Sequence, residues 1–363
     1  MTVGLITNFP SFVGLGKYAV EIHNYLSKQI DIKLVYCKDD ANVLKEGAIE
    51  VRGTNFPAMK KTLNACYVYP KRVPTFDLYH IGNQFLARIA EHRKPTVASV
   101  FDFYFLHSRK NSPFASRAIM RRAFASLKKA DRIIVPATSI KSELVKDFGV
   151  QEDCVEIVRL AVDIARYTPV DKMEARKKLE LPLDKKIIYN VGAETDPRKN
   201  AETVFKSFHQ ALSKDKDLFL VKLGKQDEKI TRFVDEKGIA SSVLRKAKIA
   251  EEEMPLYYAA ADLYVNLDLS TGMGLPPLEA MACGTPVMTS EGVDFKEFYG
   301  DSAVPVYPSS ADEVASKIAE VLGDDGLMKR LVKKGLENAQ NSSWEMAAQR
   351  TLGVYKKVVP SIV

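Results

Sequence analysis

Short apolar runs alternate with segments of helical period along nearly all of this chain, and that alternation is what most limits its fold. In the first half VGLITN, IKLVYCK, LYHIG, TVASVFDF, RIIVPA and CVEIVRL read as strands; in the second KIIYNVG, LFLVKLG, LYVNLDL, TPVMTS and AVPVYP repeat the theme. Ala201 to Leu212, Glu251 to Ala260 and Asp312 to Leu322 read as helices between them. Strand, helix, strand in succession is what a parallel sheet requires, because each new strand is reached by a crossover. At 363 residues and 46% hydrophobic, the chain has enough apolar surface for two such α/β units. The break is expected near Ala165, where VDIARYTPVD leaves the sixth strand, giving domains 1–165 and 166–363. Two doubly wound units facing each other would bring the carboxyl ends of both sheets to one central cleft, where open sheets of this kind bind ligands.

Charge is unevenly spread. Residues 1–165 carry 24 Lys and Arg against 16 Asp and Glu, whereas residues 166–363 carry 29 against 30. Within the basic half, residues 51–132 hold 16 basic and 4 acidic side chains, with Arg117, Arg121, Arg122, Lys128 and Lys129 on one expected helix. Two readings stand: a well-solvated helix face, or a surface for an anionic partner such as a membrane. Nucleic acid is not expected, because the basic region lacks aromatic interleaving and any groove-reading motif. Cys37, Cys66, Cys154 and Cys283 lie far apart with no paired metal spacing, and no secretory-type segment precedes the first strand, so a reducing cytoplasm is expected. No apolar run approaches the roughly 20 residues that span a bilayer, which leaves peripheral contact with the inner face as the membrane alternative.

The run STGMGLPPLEAMACGTPVMTS, Ser270 to Ser290, carries the most chemistry. Pro276 and Pro277 suit the first helical positions, where a missing amide costs nothing. The amides left to meet a ligand belong to Gly272, Met273, Gly274 and Leu275, and the positive helix end makes a diphosphate the natural guest. Glu279 follows in the first turns, and Gly284 with Pro286 stops the helix. The segment resembles the donor-site signature of retaining glycosyltransferases of family 4 and their GT-B relatives, usually E-G-F-G-L-P-x-L-E-A-M-A-C-G-T-P-V. In that family the first of two glutamates reads sugar hydroxyls and the second binds the nucleotide ribose. Glu279 stands in the second position, and Thr271 replaces the first.

Other segments extend the resemblance. Gly14 and Gly16 are expected between the first strand and first helix, ahead of Lys17, where they serve plain turn chemistry or line the donor phosphate as a similar G-x-G-R/K turn does in the family. AETDPRKN, after the strand that ends at Gly192, resembles the family's G-R-x-x-x-P-R-K-N, whose arginine and lysine neutralise the donor diphosphate. Lys199 matches the lysine, Ala193 replaces the arginine, and Arg198 either compensates or is a solvated neighbour. Asn200 is expected to cap the next helix. Family members often carry a histidine where Phe101 stands before Asp102; Asp102 reads equally as a strand-end turn former or a catalytic group. His80 reads as a satisfied structural histidine or, if it faces the cleft, as the acceptor-side candidate. Glu297 matches a family glutamate near the donor loop. The final helix, about 344–359, crosses back onto the first domain in the resembled family.

These features lead to the expectation of a two-domain GT-B enzyme that moves a sugar, with retention, from a nucleotide diphosphate sugar to a hydroxyl acceptor, a glycan or a lipid-phosphate-linked saccharide. Lys199, with Arg198, would stabilise the leaving diphosphate in place of a metal; no cofactor is expected, and magnesium-ligating D-x-D carboxylates are not evident, Asp262 and Asp268 reading as strand punctuation. The departures at Thr271, Phe101 and Ala193 support a rival reading, a nucleotide-sugar binder with weakened transfer. Another GT-B chemistry, epimerisation or phosphorolysis, is a third.

Overall fold

Seven parallel strands form the sheet of the first unit, which comprises Met1–Leu160 and Trp344–Val363. They are β1 (Thr2–Thr7), β2 (Asp31–Lys38), β3 (Ile49–Arg52), β4 (Leu78–Ile81), β5 (Thr96–Ser99), β6 (Arg132–Val135) and β7 (Val155–Ile157), in the order β3-β2-β1-β4-β5-β6-β7. The second unit, Ala161–Ser343, has six parallel strands: β8 (Lys186–Val191), β9 (Leu218–Leu223), β10 (Val243–Lys246), β11 (Leu263–Asn266), β12 (Val287–Ser290) and β13 (Val304–Val306), ordered β10-β9-β8-β11-β12-β13. The coordinates are a computed structural model and describe residues 1–10, 14–38, 47–56, 59–107, 114–269, 274–292 and 294–362.

Each sheet grows outward from its first strand and then resumes on that strand's other side, which is the doubly wound Rossmann-like plan. The reversal lies between β1 and β4 in one unit and between β8 and β11 in the other. Central strands are sealed on both faces: all four residues of β4, β5 and β11 are buried. Each of the eleven runs read as strands contains one. The two strands not anticipated, β3 and β10, are sheet edges. IEVR and VLRK carry too little apolar character to stand out, and at an edge they need little, since β10 is only half-buried along its whole length.

The helices that place the site are α1 (Gly14–Leu26), α2 (Phe114–Phe124), α3 (Ala201–Lys214), α4 (Met254–Ala260), α5 (Leu275–Ala282), α6 (Ala311–Gly323) and α7 (Trp344–Val358). α3 and α6 cover one face of the second sheet, with Val204, Phe205, Phe208, Val314 and Ile318 packed on Ile188 and Leu220. α7 belongs to the first unit. Trp344, Ala348, Thr351, Leu352 and Tyr355 are its buried stripe, whereas Met346 is exposed. The division of the chain falls after Leu160, and it places the last twenty residues with the first 160. Among the described residues no helix is long and apolar enough to cross a membrane.

Candidate functional site

Open α/β sheets hold ligands outside the carboxyl ends of their strands where the order reverses. In the second unit that place is the end of β8 and β11, and the chain leaving β8 is shaped to bring Lys199 there. Gly192 has φ +137°, and a Cβ on it would fall 2.8 Å from Cδ of Lys199, so the lysine stem lies in space that only glycine leaves. Asp196 caps the turn Pro197–Lys199 by accepting from the Arg198 amide at 3.0 Å. The Leu269 amide donates to the Arg198 carbonyl at 2.8 Å, tying this turn to the chain after β11. Lys199 then spans the reversal and donates from Nζ to Oδ2 of Asp268 at 2.6 Å. Asp268 is therefore the partner of the expected phosphate lysine. Asp262 lies at the other end of β11, where it pairs with Lys172 and the buried Arg176.

Arg198 does not stand open as a second cation. Its guanidinium folds back on Asp196, with Nε to both carboxylate oxygens at 3.0 Å and a third bond at 2.6 Å. Asn200 takes the expected N-cap position of α3 but makes no side-chain bond to a helix amide: it sits in the left-handed region at φ 48°, its side-chain amide donates to the Pro308 carbonyl at 2.6 Å, and its Oδ1 accepts from the Thr203 hydroxyl at 2.8 Å. The sequence holds one literal D-x-D, Asp215 to Asp217. Its carboxylates pair with Lys186 and Lys185 at the amino end of the sheet, the wrong end for a ligand.

α5 begins at Leu275 after Gly274, with Pro276 and Pro277 in its first turn. It ends as the sequence signals: Gly284 has φ +75°, its amide donates to the Met281 carbonyl and that of Thr285 to Ala280, which satisfies the last carbonyls. Thr271, Gly272 and Met273 lie outside the described residues. Of the other expected donors, the Gly274 amide already donates to the Tyr299 phenol oxygen. Tyr299 and Asp268 both line a pocket of about 70 Å³ at the ends of β11 and β12. Glu279 is buried beneath four tyrosines. Its Oε2 accepts from Tyr258 at 2.9 Å, Tyr167 also hydrogen-bonds the carboxylate, and the Tyr189 and Tyr264 rings lie 5.0 and 5.4 Å from that of Tyr258. Burial and the Glu279 charge push the phenols of Tyr167, Tyr189 and Tyr258 upward, so they remain donors at neutral pH.

Of the first-unit candidates, His80 takes a structural position. His80 is fully buried, with Nδ1 2.6 Å from the Tyr355 hydroxyl and Nε2 2.8 Å from Oγ of Ser99, which in turn lies 2.9 Å from the Tyr18 hydroxyl. This chain of bonds ties α1, β4, β5 and α7 together, and it leaves His80 no free nitrogen for an acceptor. Burial holds the imidazole down to about 3. The unfolded chain titrates near 6.5, so the folded state binds fewer protons, and stability is full above that pH and falls as acid is added. The slope is about 1.4 kcal/mol per pH unit, or about 2 kcal/mol by pH 5. Chemical denaturation at pH 7 and 5 should show this loss in the wild type and a smaller one in His80→Gln; equal losses would remove His80 as the cause.

Asp102 accepts at Oδ1 from the Tyr104 amide at 3.0 Å, the local turn expected of a strand-end aspartate, and Phe101 packs edge-on against Tyr18 at 4.8 Å. Gly14 and Gly16 fall inside α1 rather than ahead of it. A Cβ at Gly16 would lie 2.0 Å from the Pro10 carbonyl, so close backbone packing accounts for this glycine.

Residues 171–338 match the family model for glycosyl transferases group 1, and residues 13–166 match that for glycosyltransferase family 4. The chain belongs to the GT-B glycosyltransferases. It is similar to O-antigen chain mannosyltransferase B of Escherichia coli, 26% identical over 288 residues that make up 77% of this chain and 74% of that protein. It is also 26% identical to D-inositol 3-phosphate glycosyltransferase of Streptomyces bingchenggensis, over 63% of this chain; the match spans about half, 53%, of that relative. Among solved structures, sucrose-phosphate synthase from Thermosynechococcus elongatus superposes with a TM-score of 0.80 at 20% identity, covering 99% of both chains. Anabaena Alr3699/HepE in complex with UDP-glucose gives 0.78 at 15% identity, covering 98% of this chain and all of that one.

In this glycosyltransferase the sequence reading missed three groups around the loop that follows β8. Lys222, inside β9, is buried and donates to the Gly192 carbonyl. Glu194 and Arg245 form a buried pair beside it, with Nε to Oε1 at 3.0 Å. The one visible signal was a lysine within the apolar run LFLVKLG, since a charge in a strand covered on both faces needs partners.

Proposed function

We propose that this glycosyltransferase transfers a sugar from a nucleotide diphosphate sugar to a hydroxyl acceptor, with retention of configuration and without a metal. The observation that carries the reading is the ammonium of Lys199 at the β8/β11 reversal, on the family's lysine position and within one loop of the amino end of α5. Departure of the diphosphate with same-face attack by the acceptor needs leaving-group stabilisation more than a strong base. Lys199 supplies it, together with the Leu275 amide at the mouth of α5 and the Met273 amide that the family pattern implies. Glu279, on the position of the family's second glutamate, accepts the ribose hydroxyls. The mannosyl- and inositol phosphate glycosyltransferase relatives and the UDP-glucose complex of the Anabaena protein support a nucleotide-sugar donor.

A weakened nucleotide-sugar binder is the second reading, and Phe101 favours it. A phenyl ring packed on Tyr18 cannot exchange a proton or hold a sugar hydroxyl as the family's histidine does. Incubation with a panel of nucleotide sugars, with and without glycan and lipid-phosphate acceptors and with a chelator, separates the readings. The transferase releases nucleoside diphosphate, tolerates the chelator and gives a product whose anomeric configuration by NMR is the donor's. Nucleotide binding with no release from any donor would sink the transferase. The exposed Arg121, Arg122, Lys128 and Lys129 beside the exposed Phe114 suit an anionic membrane surface on the cytoplasmic side. The same assay in anionic and neutral vesicles tests this, since equal rates at low salt would exclude it.

A further inference from the structure

Lys222 is a lysine only 1% exposed that the leaving-group chemistry above leaves unused. It lies in register between Asn190 of β8 and Arg245 of β10, two residues beyond Leu220 on the face that α3 covers, and the chain leaving β8 meets its ammonium at Gly192. Its ammonium donates to the Gly192 carbonyl and, at 3.2 Å, to that of Leu223. In a planar trans peptide the next amide points opposite to the carbonyl, so the Ala193 N–H is turned away from Lys222. The amides on either side of it are committed to the β9 edge, Gly192 to Leu223 at 2.9 Å and Glu194 to Lys225 at 2.8 Å. Among the described residues the Ala193 amide finds no acceptor. The other neighbour of β8 is β11, whose end carries the Asp268 that holds Lys199.

We propose that Lys222 is a positioning residue for the donor diphosphate: it holds the Gly192 carbonyl inward, presents the Ala193 amide to the leaving group beside Lys199, and supplies from beneath the loop a positive charge that Ala193 does not carry. The inference rests on the nucleotide-sugar reading above. The local charges favour it. Among the described residues Lys222, Lys199 and Arg245 meet Glu194 and Asp268, and the nearby Asp196 is balanced by its own Arg198, so the cluster has one cation in excess and accepts an anion without further rearrangement. Burial holds the Lys222 ammonium down to about 8, with Glu194 and Asp268 supporting the charged form and Lys199 and Arg245 opposing it. A bound diphosphate adds negative charge to that balance and restores the proton. Donor affinity therefore falls as pH rises through the free-state value, and binding in that range takes up a proton.

The test uses UDP, GDP and ADP with their monophosphates, titrated calorimetrically into the full chain from about pH 7 to 8.8. Lys222→Met keeps an unbranched side chain of similar length. It should weaken the diphosphate that the wild type binds by about tenfold or more at pH 7 and leave its monophosphate within about twofold. The wild-type ratio of diphosphate to monophosphate affinity should decline with pH, and the variant's should be flat; titration of the base cancels in the ratio. A variant with wild-type ratio and pH profile overturns the inference while leaving the donor reading intact. A wild type that binds no nucleoside diphosphate overturns both. If Lys222→Met does not fold, wild-type titrations at about pH 8.5 in two buffers of different ionisation enthalpy decide alone, because absence of proton uptake overturns the role.

Discussion

Lys199→Ala is expected to lower the rate of nucleoside diphosphate release by about 10²- to 10³-fold, the usual cost of removing one donor aimed at charge that develops in a transition state. The fold should survive, because the lost Lys199–Asp268 pair is partly exposed, with side chains 26% and 19% accessible, and such pairs contribute about 1 kcal/mol or less. The variant leaves the Asp268 carboxylate facing an arriving dianion with nothing to balance it. Adding Asp268→Asn to Lys199→Ala should accordingly recover part of the donor affinity without recovering turnover. Initial rates and KM for the four proteins of this cycle check both statements. Wild-type turnover in Lys199→Ala would take the residue out of the mechanism.

Trp344→Ala should cost the first unit about 3–5 kcal/mol, the range for deleting a buried large aromatic side chain. Trp344 is 1% exposed and its ring lies 6.1 Å from that of Tyr18, so the loss opens a cavity where α7 meets α1. Among the described residues its indole N–H is buried without a partner. Trp344→Phe removes that orphaned donor, whose desolvation costs about 1–3 kcal/mol, and offsets much of the smaller volume. Denaturant unfolding should therefore rank wild type and Trp344→Phe close together, with Trp344→Ala far below. Equal destabilisation by both changes would show that volume alone decides at this site.

Much of the second-unit site was legible because its signals are local. Gly274, the prolines and Gly284 mark where α5 begins and ends through backbone conformations and amides that belong to those residues alone. The position of Lys199 could be read for the same reason: it lies one short turn from a strand end. What failed depended on who meets whom across the sheet. Arg198 looks like a cation until Asp196 claims it, Asp268 looks like punctuation until Lys199 reaches it, and His80 looks like a cleft residue until Tyr355, 275 residues away, closes over it.

By itself, then, the sequence determined two doubly wound units, the start and end of α5 and the lysine before α3. Periodicity, turn residues and caps are properties of a few neighbouring residues. Only the tertiary structure decided which charges are spent on one another, that α7 completes the first unit's core, and that a buried lysine in β9 backs the Gly192 loop. Burial and pairing are set by partners far apart in the chain, and nothing in the local sequence fixes the distance between them.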